Sequence, residues 1–156
     1  DTAVFSSRDN TIDLSSTSRQ NTKDGFDTLN SIENINAGRG DDSVTGNSSN
    51  NVLRGEGGND SLKGLAGDDV LIGGSGVNSL WGGRDDDTFH IDNGSGYDRI
   101  KDFTDGEDQI RLLTGRASVL LTQSGSDVNV KYGGDLMAII ENMTTADLSQ
   151  SGSFLS

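Results

Sequence analysis

Apolar side chains in the middle of this chain recur at a fixed interval: Val44, Leu53, Leu62, Leu71, Leu80 and Phe89 stand nine residues apart. That interval divides residues 37–90 into six nine-residue pieces, AGRGDDSVT, GNSSNNVLR, GEGGNDSLK, GLAGDDVLI, GGSGVNSLW and GGRDDDTFH. The apolar residue is always the eighth of its piece. The sixth is always an oxygen donor: Asp42, Asn51, Asp60, Asp69, Asn78 and Asp87. No window here carries the 3.6-residue period of an amphipathic helix, and glycine punctuates every piece, so the pattern predicts turn, three-residue strand, turn, strand. Successive strands then lie on opposite sides of a coil of short parallel strands, and residues 18 apart stack on the same side.

The flanks carry weaker versions of this frame. Upstream, TIDL (11–14), DGFDTL (24–29) and SIENIN (31–36) read as degenerate turns leading into the coil, with Glu33 and Ile35 in the nine-residue register. Downstream, Asp98 with Ile100 and Asp108 with Ile110 repeat the two slots after short insertions. SVLLTQ, DVNVKY and LMAIIENM follow, separated by SGS and GGD, and predict an antiparallel meander capping the coil. A helical turn is expected from Thr145, after which the tail unravels. The expected organisation is one all-β domain: lead-in turns over 1–36, a metal-binding roll over 37–111, and a β cap and tail over 112–156.

The repeat has a chemical reading. Glycines at positions one, two and four allow positive φ and let carbonyl oxygens converge, and the position-six aspartate adds a charged oxygen. Together these make half of a calcium site. The candidate metal residues in the first four pieces are Gly38, Gly40, Gly55, Gly58, Gly64 and Gly67, with Asp42, Asn51, Asp60 and Asp69. Further along they are Gly74, Gly76, Asn78, Gly83, Asp85, Asp87, Asp98 and Asp108, where Asp85 occupies a glycine slot. Stacking at 18 residues places Asp42, Asp60 and Asn78 on one edge and Asn51, Asp69 and Asp87 on the other. At least four calcium ions are expected, between 42 and 60, 60 and 78, 51 and 69, and 69 and 87. The 42/60 and 69/87 pairs, with two carboxylates each, are expected to bind most tightly. Asp60 would then line two sites and Asp87 one.

Composition supports a cation-dependent fold. The chain has 156 residues, only 30% of them hydrophobic, and a net charge of −13 from 25 acidic and 12 basic side chains. Such a chain repels itself without counterions and is a poor partner for nucleic acid or an anionic membrane. It has no cysteine, so no disulfide can staple it, and no apolar run long enough to span a bilayer. Zinc and hydrolase motifs (HExxH, GxSxG) are absent and His90 is the sole histidine, so no catalytic residues are assigned and a non-catalytic module is expected. Positions seven and nine face outward. One face shows Ser43, Thr45, Ser61, Lys63, Ser79 and Trp81, and Lys63 with Trp81 is the candidate ligand-binding pair of a second reading, a polysaccharide-binding module.

With these repeats the chain resembles the RTX (repeats-in-toxin) family of calcium-binding proteins. DRIKDFTDGEDQIRL is similar to that family's usual exit from its repeats. The resemblance implies a parallel β-roll, a right-handed β-helix-like solenoid, holding calcium between its turns and ending in a strand cap. It also implies a secreted, extracellular bacterial setting, export by a type I secretion apparatus, and a larger secreted polypeptide of which the roll is a part. Folding on calcium outside the cell is the implied role. In alginate epimerases such rolls accompany carbohydrate chemistry, which is where an extracellular polysaccharide enters as the alternative partner.

Overall fold

The nine-residue period closes into a parallel β-solenoid. The computed structural model describes residues 1–6, 8–92, 95–112, 119–150 and 154–155. In chain order its first strands are β1 (Thr2–Val4), β2 (Thr11–Asp13), β3 (Gln20–Asn21), β4 (Phe26–Asp27), β5 (Asn34–Asn36), β6 (Ser43–Thr45), β7 (Val52–Gly57) and β8 (Ser61–Ala66). There follow β9 (Val70–Arg84), β10 (Thr88–Ile91), β11 (Gly96–Ile100), β12 (Gln109–Leu112), β13 (Val119–Ser124), β14 (Asp127–Tyr132), β15 (Asp135–Ile140), helix α1 (Thr145–Gln150) and β16 (Phe154–Leu155). One stack runs β1, β5, β7, β9, β10, β12, β16 and the other β2, β6, β8, β9, β11, β15, every neighbouring pair being parallel. The long β9 turns a corner and serves both.

Registers follow the 18-residue circuit: Val44 pairs with Leu62 and Leu62 with Leu80, while Leu53 pairs with Leu71 and Leu71 with Phe89. These six side chains are at most 1% exposed and form two facing columns, extended by Ile12 and Ile100 on one side and Ile35 and Ile110 on the other. A strand of three residues offers only one inward side chain. β7, β8 and β9 run longer than the expected three residues because they continue into the turns, yet from β5 to β9 each pass through a stack still buries one apolar side chain. The core widens only towards the cap, where β10 buries Phe89 and Ile91 and β12 buries Ile110 and Leu112.

Position two takes left-handed backbone in five of the six pieces, Asn47 being the exception. Gly38, Gly74 and Gly83 supply it with φ of 100°, 89° and 117°, but Glu56 and Leu65 adopt it as well, at 76° and 91°. A side chain there costs about 1–2 kcal/mol. Leu65 is 42% exposed, so little burial offsets the strain. Leu65→Gly is expected to raise the melting temperature of the calcium-loaded protein by roughly 2–4 °C, about what 1 kcal/mol yields at this size, as read by differential scanning calorimetry. An unchanged or lower melting temperature would contradict the strain. Position one behaves differently from expectation: Gly55 and Gly64 do not take positive φ, and are glycine for lack of space.

The lead-in segment departs from the sequence frame. Residues 24–29 are not a turn of the coil: β4 pairs antiparallel with β3 as a separate two-stranded ribbon, and Phe26 is 61% exposed with the Arg19 guanidinium over its ring. The inward slot that Phe26 would fill, nine before Ile35, is taken by Ile12, because β2 rather than β4 pairs with β6. The ribbon covers the open edge of β2. Asp13 N–H donates to Gln20 Oε1 and Gln20 Nε2 donates to the Asp13 carbonyl, each at 2.8 Å, so one side-chain amide stands in for a neighbouring strand.

At the other end β15 adds to β11 in parallel, and β13, β14 and β15 form the expected antiparallel meander over buried Val128, Val130, Met137 and Ile140. Glu141 clamps this cap to the roll, accepting from Arg99 at 2.8 Å and Lys101 at 2.6 Å. The helix at Thr145 is present, but the chain does not simply unravel after it, since β16 pairs with β12. Residues 151–153 and 156 of the tail, Ser118 of SVLLTQ and the first two residues of NGSGYDRIK lie outside the described residues. Among the described residues no helix is long and apolar enough to cross a membrane.

Candidate metal centre

Each position-six side chain turns into the loop at the edge of the coil, because the following residue must point outward to keep the inward slot at position eight. Asp42, Asn51, Asp60, Asp69, Asn78 and Asp87 are all at most 2% exposed. They form two ladders. On one edge Asp42 N–H donates to Asp60 Oδ1 at 2.8 Å and Asp60 N–H to Asn78 Oδ1 at 2.9 Å. On the other, Asn51 N–H donates to Asp69 Oδ1 at 2.7 Å and Asp69 N–H to Asp87 Oδ1 at 3.0 Å. The ladders run past the predicted ends, to Asn10, whose N–H donates to Asp42 Oδ1, and to Asp108, whose Oδ1 accepts from Asp87 N–H.

The second carboxylate oxygens carry the chemistry. Oδ2 of Asp42, Asp60, Asp69 and Asp87 is buried and has no hydrogen-bond partner. Beside three of them, on Asp60, Asp69 and Asp87, sit the position-one glycines Gly55, Gly64 and Gly82, whereas the Asp42 piece has Ala37 at position one. A Cβ on Gly55 would overlap Asp60 Oδ2 and lie 2.6 Å from the Gly73 carbonyl oxygen, and a Cβ on Gly64 would overlap Asp69 Oδ2 and lie 2.6 Å from the Gly82 carbonyl oxygen. A carboxylate oxygen and a main-chain carbonyl of the next turn thus converge on one spot. Among the described residues no three His, Cys, Asp or Glu side chains gather at a point, so each spot would rely on one carboxylate plus carbonyls. Hard oxygen donors in irregular number suit calcium.

This alters the expected pairing. The unpartnered oxygens belong to residues 42, 60, 69 and 87, so the spot foreseen between 51 and 69 lacks one and a spot between 87 and 108 gains one. Asn51 still presents Oδ1 beside Gly46 and the Gly64 carbonyl, but that oxygen also accepts from Asn47 N–H at 2.8 Å. Because Asp108 continues the ladder, Asp87 is not terminal. Asp60→Ala and Asp87→Ala are therefore expected to lower calcium uptake equally, contrary to the two-against-one ratio read from the repeats alone. Calorimetric titration of both variants checks this, and a larger loss for Asp60→Ala would restore the simpler stacking.

Burial raises the carboxyl pKa values of Asp60, Asp69 and Asp87 to about 7, desolvation outweighing the backbone N–H each accepts. Asp42 is raised for the same reason. A group raised above its unfolded value of about 3.9 stabilises the fold below that value, and the stability is lost as pH rises through about 7. In chelator, acidification from about pH 8 to about pH 5 is thus expected to increase ordered β-structure by circular dichroism. A flat or falling signal would refute the assignment of these carboxylates to the loops.

The other candidate residues have distinct placements. Gly40, Gly58 and Gly76 take positive φ and lie against one another's backbone, so a Cβ on Gly58 would overlap the Gly40 carbonyl. They make the turns stack closely, as do Gly38, Gly67, Gly74 and Gly83, without bounding the metal spots. Asp85 is outside the inner ladder: it sits at φ 74° and accepts from Gly67 N–H on the exposed rim. Asp98 meets the Asn78 amide at 2.9 Å. Both Asp108 oxygens are engaged, Oδ2 by Thr104 N–H at 2.7 Å. Lys63 and Trp81 are brought together, the ammonium 5.2 Å above the ring.

Sequence reasoning missed Gly73 and Gly82, whose carbonyls face the spots, and a second ladder at position five. Asn59 N–H donates to Asp41 Oδ1, Asp41 N–H to Asp9 Oδ1, Asp68 N–H to Asn50 Oδ1 and Asp86 N–H to Asp68 Oδ1. Here the acceptor is on the earlier turn, whereas at position six it is on the later one. The signal was available, since five of the six pieces carry Asp or Asn at position five.

Residues 27–62, 54–89 and 63–100 match a family model described as the RTX calcium-binding nonapeptide repeat (4 copies). Among solved structures, the extracellular lipase LipA from Serratia marcescens is similar with a TM-score of 0.68 and 23% identity over 86% of this chain and 22% of the lipase. The chain thus spans about a fifth of that protein, and at this identity the likeness is one of fold. The AlgE6R3 subunit of the Azotobacter vinelandii mannuronan C5-epimerase is similar with a TM-score of 0.54 and 27% identity over 74% of this chain and 77% of that one. No curated protein sequence matches.

Proposed function

Because its repeat region, residues 27–100, belongs to the RTX calcium-binding nonapeptide repeat family, we propose that this chain is a calcium-dependent folding module of a larger secreted protein. The observation that carries the reading is the set of four buried, unpartnered carboxylate oxygens, each on a position-six aspartate. Calcium supplies the positive charge that these loops lack. Asp42, Asp60, Asp69 and Asp87 would hold it, with main-chain carbonyls such as those of Gly73 and Gly82. Since the unfolded chain has no preformed site, binding free energy becomes folding free energy. Sites of extracellular type, with dissociation constants of about 10⁻⁴–10⁻³ M, would leave the chain unfolded for export and fold it on arrival outside. Resemblance to rolls of exported proteins supports a type I route. The test is calcium titration of the purified chain with ion counting: four or more ions per chain supports the reading, and none at millimolar calcium ends it.

A second reading, polysaccharide binding, is favoured by one observation. Lys63 and Trp81 stand together on an open face beside Ser61 and Ser79 in register. Likeness to a module of a mannuronan epimerase is in keeping with it. Lys63 covers part of the indole, so a uronate chain would have to draw the ammonium onto its carboxylate. Trp81 emission in saturating calcium, titrated with alginate, decides: no spectral change and no retention on the polymer would dismiss this reading.

A further inference from the structure

The two asparagines in the inner ladders are not equivalent, and the difference falls where the roll meets its cap. Asn78 Oδ1 accepts from Asp60 N–H at 2.9 Å, which fixes the amide's orientation and leaves Nδ2 facing the next turn. That nitrogen donates to Asp98 Oδ1 at 2.9 Å and to the Gly74 carbonyl at 3.4 Å. A Cβ on Gly73 would overlap Asp98 Oδ1 and come 2.5 Å from Asn78 Nδ2. At Gly55 and Gly64 the corresponding space is bounded by a bare Asp Oδ2 and a carbonyl oxygen. At Gly73 it is bounded by a hydrogen-bond donor and the carboxylate it satisfies. Asn51 is oriented the other way, with Nδ2 donating to the Glu33 carbonyl at 3.0 Å and Oδ1 beside Gly46.

We propose that the Asn78 carboxamide takes the place of a calcium ion between the 73–78 loop and Asp98, so that this rung closes on protein atoms alone. The inference rests on the calcium reading of the other rungs. An N–H donor directed at the carboxylate oxygen gives Asp98, 4% exposed, the partner that burial requires. A cation cannot share that space, because it would meet the amide's positive end. The rung at the cap therefore stays closed when ions leave the rest of the roll.

Counting ions by equilibrium dialysis, with stability measured in parallel, tests the proposal. Asn78→Asp replaces the donor with an acceptor opposite Asp98 and is expected to bind one calcium more than the wild type. Asn78→Ala is expected to bind the same number as the wild type while melting at lower temperature in calcium. An unchanged count for Asn78→Asp, or one ion fewer for Asn78→Ala, would overturn it. If the wild type itself binds no calcium, the failure lies with the folding-module reading, a distinguishable result.

Discussion

Excess EGTA is expected to abolish most of the β-sheet signal of the calcium-loaded protein and to expand the chain toward the roughly 40 Å radius of gyration of an unfolded polymer of this length. The reason is in the loops. Four buried carboxylate oxygens have no hydrogen-bond partner, and each such group costs about 1–3 kcal/mol, more when charged. Set against the ~5–15 kcal/mol by which domains are stable, four of them are enough to decide the balance. The chain's net charge of −13 adds repulsion, and nothing else staples it, since it has no disulfide. From β5 to β9, where three of these four carboxylates lie, the core is one residue wide per stack and has no reserve. Far-UV circular dichroism and small-angle scattering across a chelator titration give the readout. Full retention of sheet signal after exhaustive chelation would show that the ladders hold without metal.

The second large effect is expected from adding a single carbon. Gly64→Ala places a methyl where Asp69 Oδ2 already stands and 2.6 Å from the Gly82 carbonyl oxygen. Either the carboxylate or the next turn must move, and both outcomes destroy the spot between them. Overpacking alone costs about 1–3 kcal/mol, and loss of the ion adds to it. Fewer bound ions and a markedly lower melting temperature in calcium are expected. Gly106→Ala is the control: Gly106 has φ 85° but nothing within 4 Å of its missing Cβ, so it reports backbone strain without crowding. Gly64 does not occupy the positive-φ region, so its loss reports crowding without strain. Similar effects of the two substitutions would mean that the glycines serve only backbone conformation.

The solenoid and the identity of its inner ladders were legible in the sequence because a nine-residue period sets both the inward slot and the inward oxygen. Insertions before Asp98 and Asp108 did not hide them, since each is followed by an apolar residue two positions on, Ile100 and Ile110, that enters the core column. The lead-in was misread for the converse reason. Phe26 lies in frame, yet Ile12, with Asp9 and Asn10 completing both ladders, outcompetes it for the slot. A 32-residue offset in place of 18 cannot be seen as a period. Which oxygen of each carboxylate remains free, and which atom of each asparagine faces the gap, depends on hydrogen-bond direction. Asn51 and Asn78 share a slot and a residue type but point opposite atoms at their neighbours.

The excursion between β2 and β5 has a practical meaning. Asn10 and Asp42 are bonded as stacked neighbours 32 residues apart, while Asp42 and Asp60 are so bonded 18 apart. The coil thus already accommodates 14 extra residues at one corner while the next strand lands in register. The ribbon's exposed turn at Lys23, with φ 70°, is a grafting point so long as Asp24 keeps the bonds it accepts from Ser6. A foreign epitope spliced there would be displayed on a scaffold that assembles on demand when calcium is supplied and releases its shape when the ion is withdrawn.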